Sequence, residues 1–199
     1  MVKELAFCMC LELSSAQAMS PGVNVVMMES QETSLTQVVS EQRQAASFVL
    51  EKPETEVVFK VSDTKLSDEL QQHVYDTCIM YDVDPFTIIA QIEKESSCRA
   101  YICNSRTGCA GLMQIYEKWH VDRMDRLGVT DLLDGKQNIL VGIDYMAELL
   151  KRCDGDYIHA LMCYNMGGSN ADPKFKNGEY SDYAIDIVTR AEQLRTKTE

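Results

Sequence analysis

From Ser67 onward the sequence sets helix-start signals at four places, and this recurrence constrains the fold more than any other feature. Ser67 stands ahead of Asp68 and Glu69. A serine hydroxyl suits an N-cap, and carboxylates in the first turn suit the positive end of the helix dipole. Leu70, Val74 and Cys78 then repeat every four residues. Asp84-Pro85 is the second signal, a capping aspartate followed by a residue whose missing N–H is harmless at the first helical position. That helix runs through Ile88, Ile89 and Ile92 to about Ser96. Asp134 opens a long helix with Ile139, Ile143, Met146 and Leu150 on one stripe, and Asp156 opens another that ends at Gly167-Gly168. A last helix, from about Tyr180 to Leu194, puts Tyr183, Ile187, Ala191 and Leu194 in register. Period-two patterns are nearly absent. The expectation is an all-α domain, with little or no sheet, over residues 67–199.

Residues 1–66 read differently, as an N-terminal arm or linker. Glu29 to Gln44 is mostly polar, and Glu51-Lys52-Pro53-Glu54-Thr55-Glu56 is a charged breaker. Val57 to Val61 suggests either a short strand or a segment docked on the domain. The start of the chain resembles a secretion signal: Lys3, the apolar run Leu5 to Leu11, and Ala16-Gln17-Ala18 as a cleavage pattern. Glu4 and Glu12 spoil that pattern, so a plain N-terminal extension stands beside it as the alternative.

Charge excludes two classes of partner. With 19 Lys+Arg against 31 Asp+Glu, the net charge is −12. No basic footprint for nucleic acid exists, and there is no long-range attraction to an anionic surface. No apolar run is long enough to span a membrane. Any polymer must be held by short-range contacts in a groove. Cys78, Cys98, Cys103, Cys109, Cys153 and Cys163 form an even set in the helical part, which favours disulfides and an oxidising compartment over buried free thiols. No C-x-x-C occurs and the three histidines are scattered, so no metal site is expected.

The chemistry points to the second helix. Ile88, Ile89 and Ile92 define its buried face, and Glu95 falls at the edge of that face. An acid beside packed hydrocarbon has its pKa pushed up, which suits a general acid near neutral pH. Further on, Asn104 to Ile115 combines a turn, two glycines and the amide of Gln114.

The ordered set Glu95-Ser96, Ser105-x-x-Gly108-x-x-Gly111-Leu112-Met113-Gln114, Asn138-Ile139-x-x-Gly142-x-x-Tyr145 and Ala160-x-x-x-Tyr164-Asn165-x-Gly167 resembles the soluble lytic transglycosylases. Their catalytic domain has a goose-lysozyme-like helical fold. The resemblance covers about residues 67 to 195. It implies cleavage of the β-1,4 bond between N-acetylmuramic acid and N-acetylglucosamine in peptidoglycan strands, leaving a 1,6-anhydromuramic end. Glu95 would act alone, first as acid and then as base, with no cofactor. By the same resemblance Ser96 would hydrogen-bond near the catalytic centre. Met113 and Gln114 would line the sugar groove, Asn165 would contact sugar, Tyr164 would shape the groove, and Tyr183 would orient Glu95. The implied location is extracytoplasmic, whether secreted, wall-associated or carried by a virion. The arm would suit tethering to a secretion, conjugation or phage apparatus.

Departures from the family pattern cluster beside the groove. Cys98 and Ala100 replace the usual aromatic and proline, and Tyr116-Glu117-Lys118-Trp119 replaces a Pro-x-Thr. Cys98 paired with Cys103 or Cys109 would stiffen that loop, and Cys153 with Cys163 is a second candidate bond. Two rival readings stay open. A hydrolytic muramidase on the same fold would need a base for water, with Glu93, Glu117 and Asp122 as candidates. A wall-binding or assembly module would keep the fold without turnover.

Overall fold

A computed structural model describes residues 57–197; the readings of the signal and of the linker at residues 1–56 lie outside the described residues. Among the described residues seven helices carry the fold: α1 (Asp68–Tyr81), α2 (Pro85–Ser96), α3 (Glu117–Leu127), α4 (Gly135–Arg152), α5 (Tyr157–Met166), α6 (Gly168–Lys176) and α7 (Asp182–Arg195). Between α2 and α3 lies a two-stranded antiparallel ribbon, β1 (Cys109–Ala110) with β2 (Ile115–Tyr116), in which Cys109 faces Tyr116 and Ala110 faces Ile115. The domain is therefore helical with one small sheet, as the sequence patterns predict. No helix among the described residues is long and apolar enough to cross a membrane.

The four expected caps all serve. The side chains of Ser67, Asp84, Asp134 and Asp156 accept from the backbone N–H groups of Leu70, Thr87, Gln137 and His159, each worth about 1 kcal/mol. Ser181 caps α7 in the same way. Helix α3 has no side-chain cap and follows directly on β2. Gly167, at φ +77, ends α5 and at once begins α6.

Helix α2 carries an apolar buried face. Ile88, Ile89 and Ile92 are fully buried, and each contributes about 1.5–3 kcal/mol by leaving water. It packs most extensively on α7 and also meets α1, while α5 packs on α4, α6 and α7. Charged and polar side chains fix α7 along α2: Lys94 reaches Asp186 at 2.7 Å and Arg190 reaches Glu93 at 2.7 Å. The segment before α1 is docked and forms no strand. Phe59 stacks on Tyr75 with ring centroids 4.8 Å apart, and Val61 donates its N–H to Gln71 Oε1 at 2.7 Å. Arg190 also holds the backbone carbonyl of Asp63.

Candidate active site

Glu95 sits in the last turn of α2, half-buried, and opens into a cleft of about 430 Å3. That volume lies within the usual span of ligand sites, about 300–1,000 Å3. The cleft wall opposite comes from the loop and ribbon before α3, through Asn104, Thr107 and Gln114, and from the end of α5, through Tyr164 and Asn165. Among the described residues, Glu95 is the only carboxylate that lines it.

Tyr183, in the first turn of α7, donates its hydroxyl to Glu95 Oε1 at 2.5 Å. One turn before Glu95 on α2, Gln91 Nε2 donates in turn to the Tyr183 oxygen at 3.4 Å. Burial raises the Glu95 pKa above the ordinary carboxylate range; the Tyr183 hydrogen bond and the charge of Lys94 pull the other way. Burial, and then the charge of Glu95, hold Tyr183 well above an ordinary phenol, so at neutral pH it is a donor. Burial thus favours the protonated acid, and one phenol aims it.

The other expected residues divide into two groups. Tyr164 donates its hydroxyl to the Met113 carbonyl at 2.8 Å and leans its ring on Tyr145, which makes it a wall of the cleft. Asn165 lines the cleft, is exposed, and has no side-chain hydrogen-bond partner among the described residues. Gln114 adopts a left-handed backbone, φ +49, and its Nε2 is held by the Gly111 carbonyl at 2.9 Å. Among the described residues its Oε1 has no hydrogen-bond partner and can accept. Ser96 and Met113 are placed elsewhere. Ser96 is buried and donates its hydroxyl to the Ile92 carbonyl at 3.0 Å, one turn back in its own helix. Met113 is fully buried against Gly142, where an added Cβ would sit 2.2 Å from its sulfur. Only its backbone carbonyl, through Tyr164, serves the site.

The sequence reading misses His120. It lies on α3, buried, and lines the same cleft. Arg123 Nη1 is 2.6 Å from its Nδ1. A guanidinium can only donate, so Nδ1 accepts and the ring proton sits on Nε2. Burial, and then the charge of Arg123, lower the His120 pKa to about 4. Arg123 is itself held by Asp144 at 2.7 Å and by Glu148. His120 is therefore a fixed neutral donor. The signal that identifies it is the His120-x-x-Arg123 spacing on a helix, which is readable only once α3 is placed.

Of the three carboxylates considered as a water-activating base, Glu93 is paired with Arg190 in a separate pocket beside residues 62–65, and neither Glu117 nor Asp122 lines the Glu95 cleft. The described cysteines are all free thiols. Cys98 does not meet Cys103 or Cys109: it turns to the docked segment, with its sulfur 3.9 Å from Thr64 Oγ1, while Cys109 lies in β1 on the cleft. The αL conformations of Ser97 and Cys98, φ +53 and +63, turn the chain that way. Cys153 and Cys163 lie 3.9 Å apart, close but unbonded.

A family model described as the transglycosylase SLT domain matches residues 77–186, more than half of the chain. The fold is similar to that of the lytic transglycosylase Slt of Pseudomonas aeruginosa, solved as an inactive mutant. The TM-score is 0.56 at 14% identity, over 82% of this chain and 28% of that one. The 70 kDa soluble lytic transglycosylase of Escherichia coli matches with a TM-score of 0.46 at 20% identity, over 65% of this chain and 24% of that one. The chain thus spans less than a third of the length of either protein.

Proposed function

The chain belongs to the transglycosylase SLT-domain family, and on that premise we propose that it is a peptidoglycan lytic transglycosylase with Glu95 as its one acid and base. Protonated Glu95 gives its proton to the glycosidic oxygen between N-acetylmuramic acid and N-acetylglucosamine, and the C1–O bond breaks. The muramic N-acetyl group helps to carry the charge that develops at C1. The Glu95 carboxylate then takes the proton of the C6 hydroxyl as O6 bonds to C1, which closes the 1,6-anhydro ring. The proton returns to Glu95, and no water is consumed. Gln114 and Asn165 supply amide contacts to the glycan, Tyr164 shapes the wall, and Tyr183 orients the acid.

The observation that carries this reading is that, among the described residues, the cleft holds a single carboxylate. Glycosidases that hydrolyse with paired carboxylates need a second one within about 5–10 Å of the first. His120, the other titratable group with a basic nitrogen on the cleft, has that nitrogen engaged by Arg123. It is in no position to deprotonate water. The family's substrate places the action outside the cytoplasm, and the arm before residue 57 is suited to tethering the domain to a secretion, conjugation or phage apparatus.

Mass spectrometry of purified sacculi digested with the protein and with its Glu95→Gln variant tests the proposal. Anhydro ends from the parent and none from the variant are expected. Reducing ends would establish hydrolysis, and an inert parent that still binds sacculi would establish a binding module.

A further inference from the structure

At the cleft wall, which Cys163 itself helps to line, three helices bring together a set of side chains to which the proposed glycan chemistry gives no role. Cys153 closes α4 as its C-cap. His159 and Cys163 are four residues apart on α5 and share one of its faces. Asp172 comes from α6. The donor atoms of Cys153, His159 and Cys163 all lie within 4.8 Å of one another. We propose that Cys153, His159, Cys163 and Asp172 form a closed, four-coordinate zinc site that ties α4, α5 and α6 together beneath Tyr164 and Asn165.

Three donor–donor distances fit the edges of a coordination tetrahedron. With zinc–sulfur bonds of about 2.3 Å and zinc–nitrogen or zinc–oxygen bonds of about 2.0–2.1 Å, the edges are roughly 3.8 Å for S–S, 3.5 Å for S–O and 3.3 Å for N–O. Here the two sulfurs are 3.9 Å apart, Cys163 Sγ is 3.7 Å from Asp172 Oδ1, and His159 Nε2 is 2.9 Å from the same oxygen. These three of the six edges are within about 0.4 Å of that geometry, and the two edges from His159 to the sulfurs are no longer than 4.8 Å. By contrast, a disulfide requires the sulfurs to close to about 2.05 Å.

Composition and charge agree with the geometry. Two thiolates, one imidazole and one carboxylate are a donor set for zinc, mixing soft and borderline ligands with a single hard one. The three anions carry three negative charges. Arg152 offsets one, with Nη1 3.0 Å from Cys163 Sγ and Nη2 2.5 Å from Asp172 Oδ2. A divalent ion offsets the other two. Arg152 reaches this position because residue 168 is glycine: a Cβ there would lie 2.5 Å from Nη1. The imidazole is held flat by Phe175, with the rings stacked at 4.2 Å and 3°. Cys153 and Cys163 are buried, and Cys163 also lines the cleft; with four protein ligands the ion would have no open coordination position, so its role is structural. Cys163 immediately precedes Tyr164 and Asn165, so an ion here fixes the α5 end that forms the cleft wall.

The test uses the full, untagged chain, stripped of metal under reducing conditions and titrated with Co2+ and then Zn2+. Stoichiometric Co2+ binding is expected, with thiolate-to-cobalt charge-transfer absorption that Zn2+ abolishes by displacement. The Cys153→Ser/Cys163→Ser double variant keeps every other cysteine and should lose that absorption; His159→Gln, which keeps both thiols, should weaken it. Arg152→Gln should weaken zinc binding about 10–100-fold, as loss of an outer partner does. A chelator should lower the unfolding temperature of the wild type and leave that of the double variant unchanged. Wild-type protein without the charge-transfer band, or a band equally strong in the double variant, would overturn the proposal. So would isolated wild-type protein lighter by two hydrogens, with Cys153 and Cys163 bonded to each other. None of these readouts requires glycan cleavage, so failure here and failure of the transglycosylase reading are distinguishable.

Discussion

Asn138, at the start of α4, holds the cleft wall to the core, and its removal has a calculable cost. Its Oδ1 accepts the Met113 N–H at 2.8 Å, and its Nδ2 donates to the carbonyls of Ala110 and Leu132, each at 2.9 Å. The side chain is fully buried. Gly111 is what lets the ribbon come this close: with φ +78, a Cβ there would lie 2.1 Å from Asn138 Nδ2. Asn138→Ala removes the side-chain partner of three backbone groups. Each buried orphan costs about 1–3 kcal/mol, and the Ala110 carbonyl, nearest the surface, recovers part of that from water, so the total is roughly 3–5 kcal/mol. For a domain of this size that lowers Tm by roughly 10–15 °C. Asn138→Asp is the sharper comparison. It keeps an acceptor for Met113 but turns an anionic oxygen towards two carbonyls, so it should be no more stable than the alanine variant. Urea and thermal unfolding measure the loss, and hydrogen exchange at the Met113 amide reports whether that one bond has gone. A loss below about 1 kcal/mol in either variant, or an unchanged Met113 exchange rate in Asn138→Ala, would refute the reasoning.

Four other outcomes are expected. Tyr183→Phe removes the hydrogen bond that pulls the Glu95 pKa down, leaving burial to raise it further; because the free enzyme needs the protonated acid, the alkaline limb of kcat/KM should move to higher pH. The loosened carboxyl should also cost about 10- to 100-fold in rate at neutral pH, and an unmoved limb would count against the assigned role. Glu95→Gln should raise stability at neutral pH, since a carboxyl whose folded pKa lies above its unfolded value destabilises the fold as pH rises through and above the unfolded value; a lower Tm for the variant at pH 7 would contradict this. His120 runs in the opposite sense: its pKa falls from 6.5 to about 4 on folding, so its share of stability is complete above pH 6.5 and is lost as pH drops towards 4. His120→Gln should flatten that part of the pH–stability curve, and identical slopes in the two proteins would show that His120 does not titrate there. Trp119 is the sole tryptophan and stands 80% exposed on the cleft rim, its ring set edge-on to Tyr116 at 5.2 Å. In the Glu95→Gln background, glycan oligomers should change its fluorescence, and Trp119→Ala should weaken their binding about tenfold by calorimetry; a silent emission with unchanged affinity would remove it from the groove.

The helices that sequence made visible are those with polar caps, because a cap is a local requirement written in one residue. Asp84, Asp134 and Asp156 each satisfy an N–H that no helical carbonyl can reach. Helix α3 starts from Tyr116, with no side-chain cap, so nothing in its first residues announces it. Its start is set instead by the strand pair before it, a tertiary cause. Helix α6 is hidden differently: Gly167-Gly168 reads as a stop, and it is one for α5, but Gly168 is also the first residue of the next helix.

The site shows the same division between local and assembled causes. Glu95 was legible because its place at the edge of an apolar face follows from a rotation of 100° per residue. The same rotation explains Ser96, which lies one step further round and turns inward to its own helix. Membership of a motif therefore does not put a side chain in the groove. Met113 serves as a packing partner for Gly142 and as a carbonyl for Tyr164, and either use constrains the residue as strongly as a contact with sugar would. Tyr183 lies 88 residues from Glu95 and reaches it only because α7 runs along α2, fixed there by Lys94–Asp186 and Glu93–Arg190. The exposed Lys94–Asp186 pair adds little stability; the apolar burial between the two helices provides most of it. What the pairs select is register, and register decides which α7 side chain meets the acid. Glu93 is thus explained by its place in that register, as the carboxylate that helps bring Tyr183 to Glu95 and leaves the cleft with a single acid.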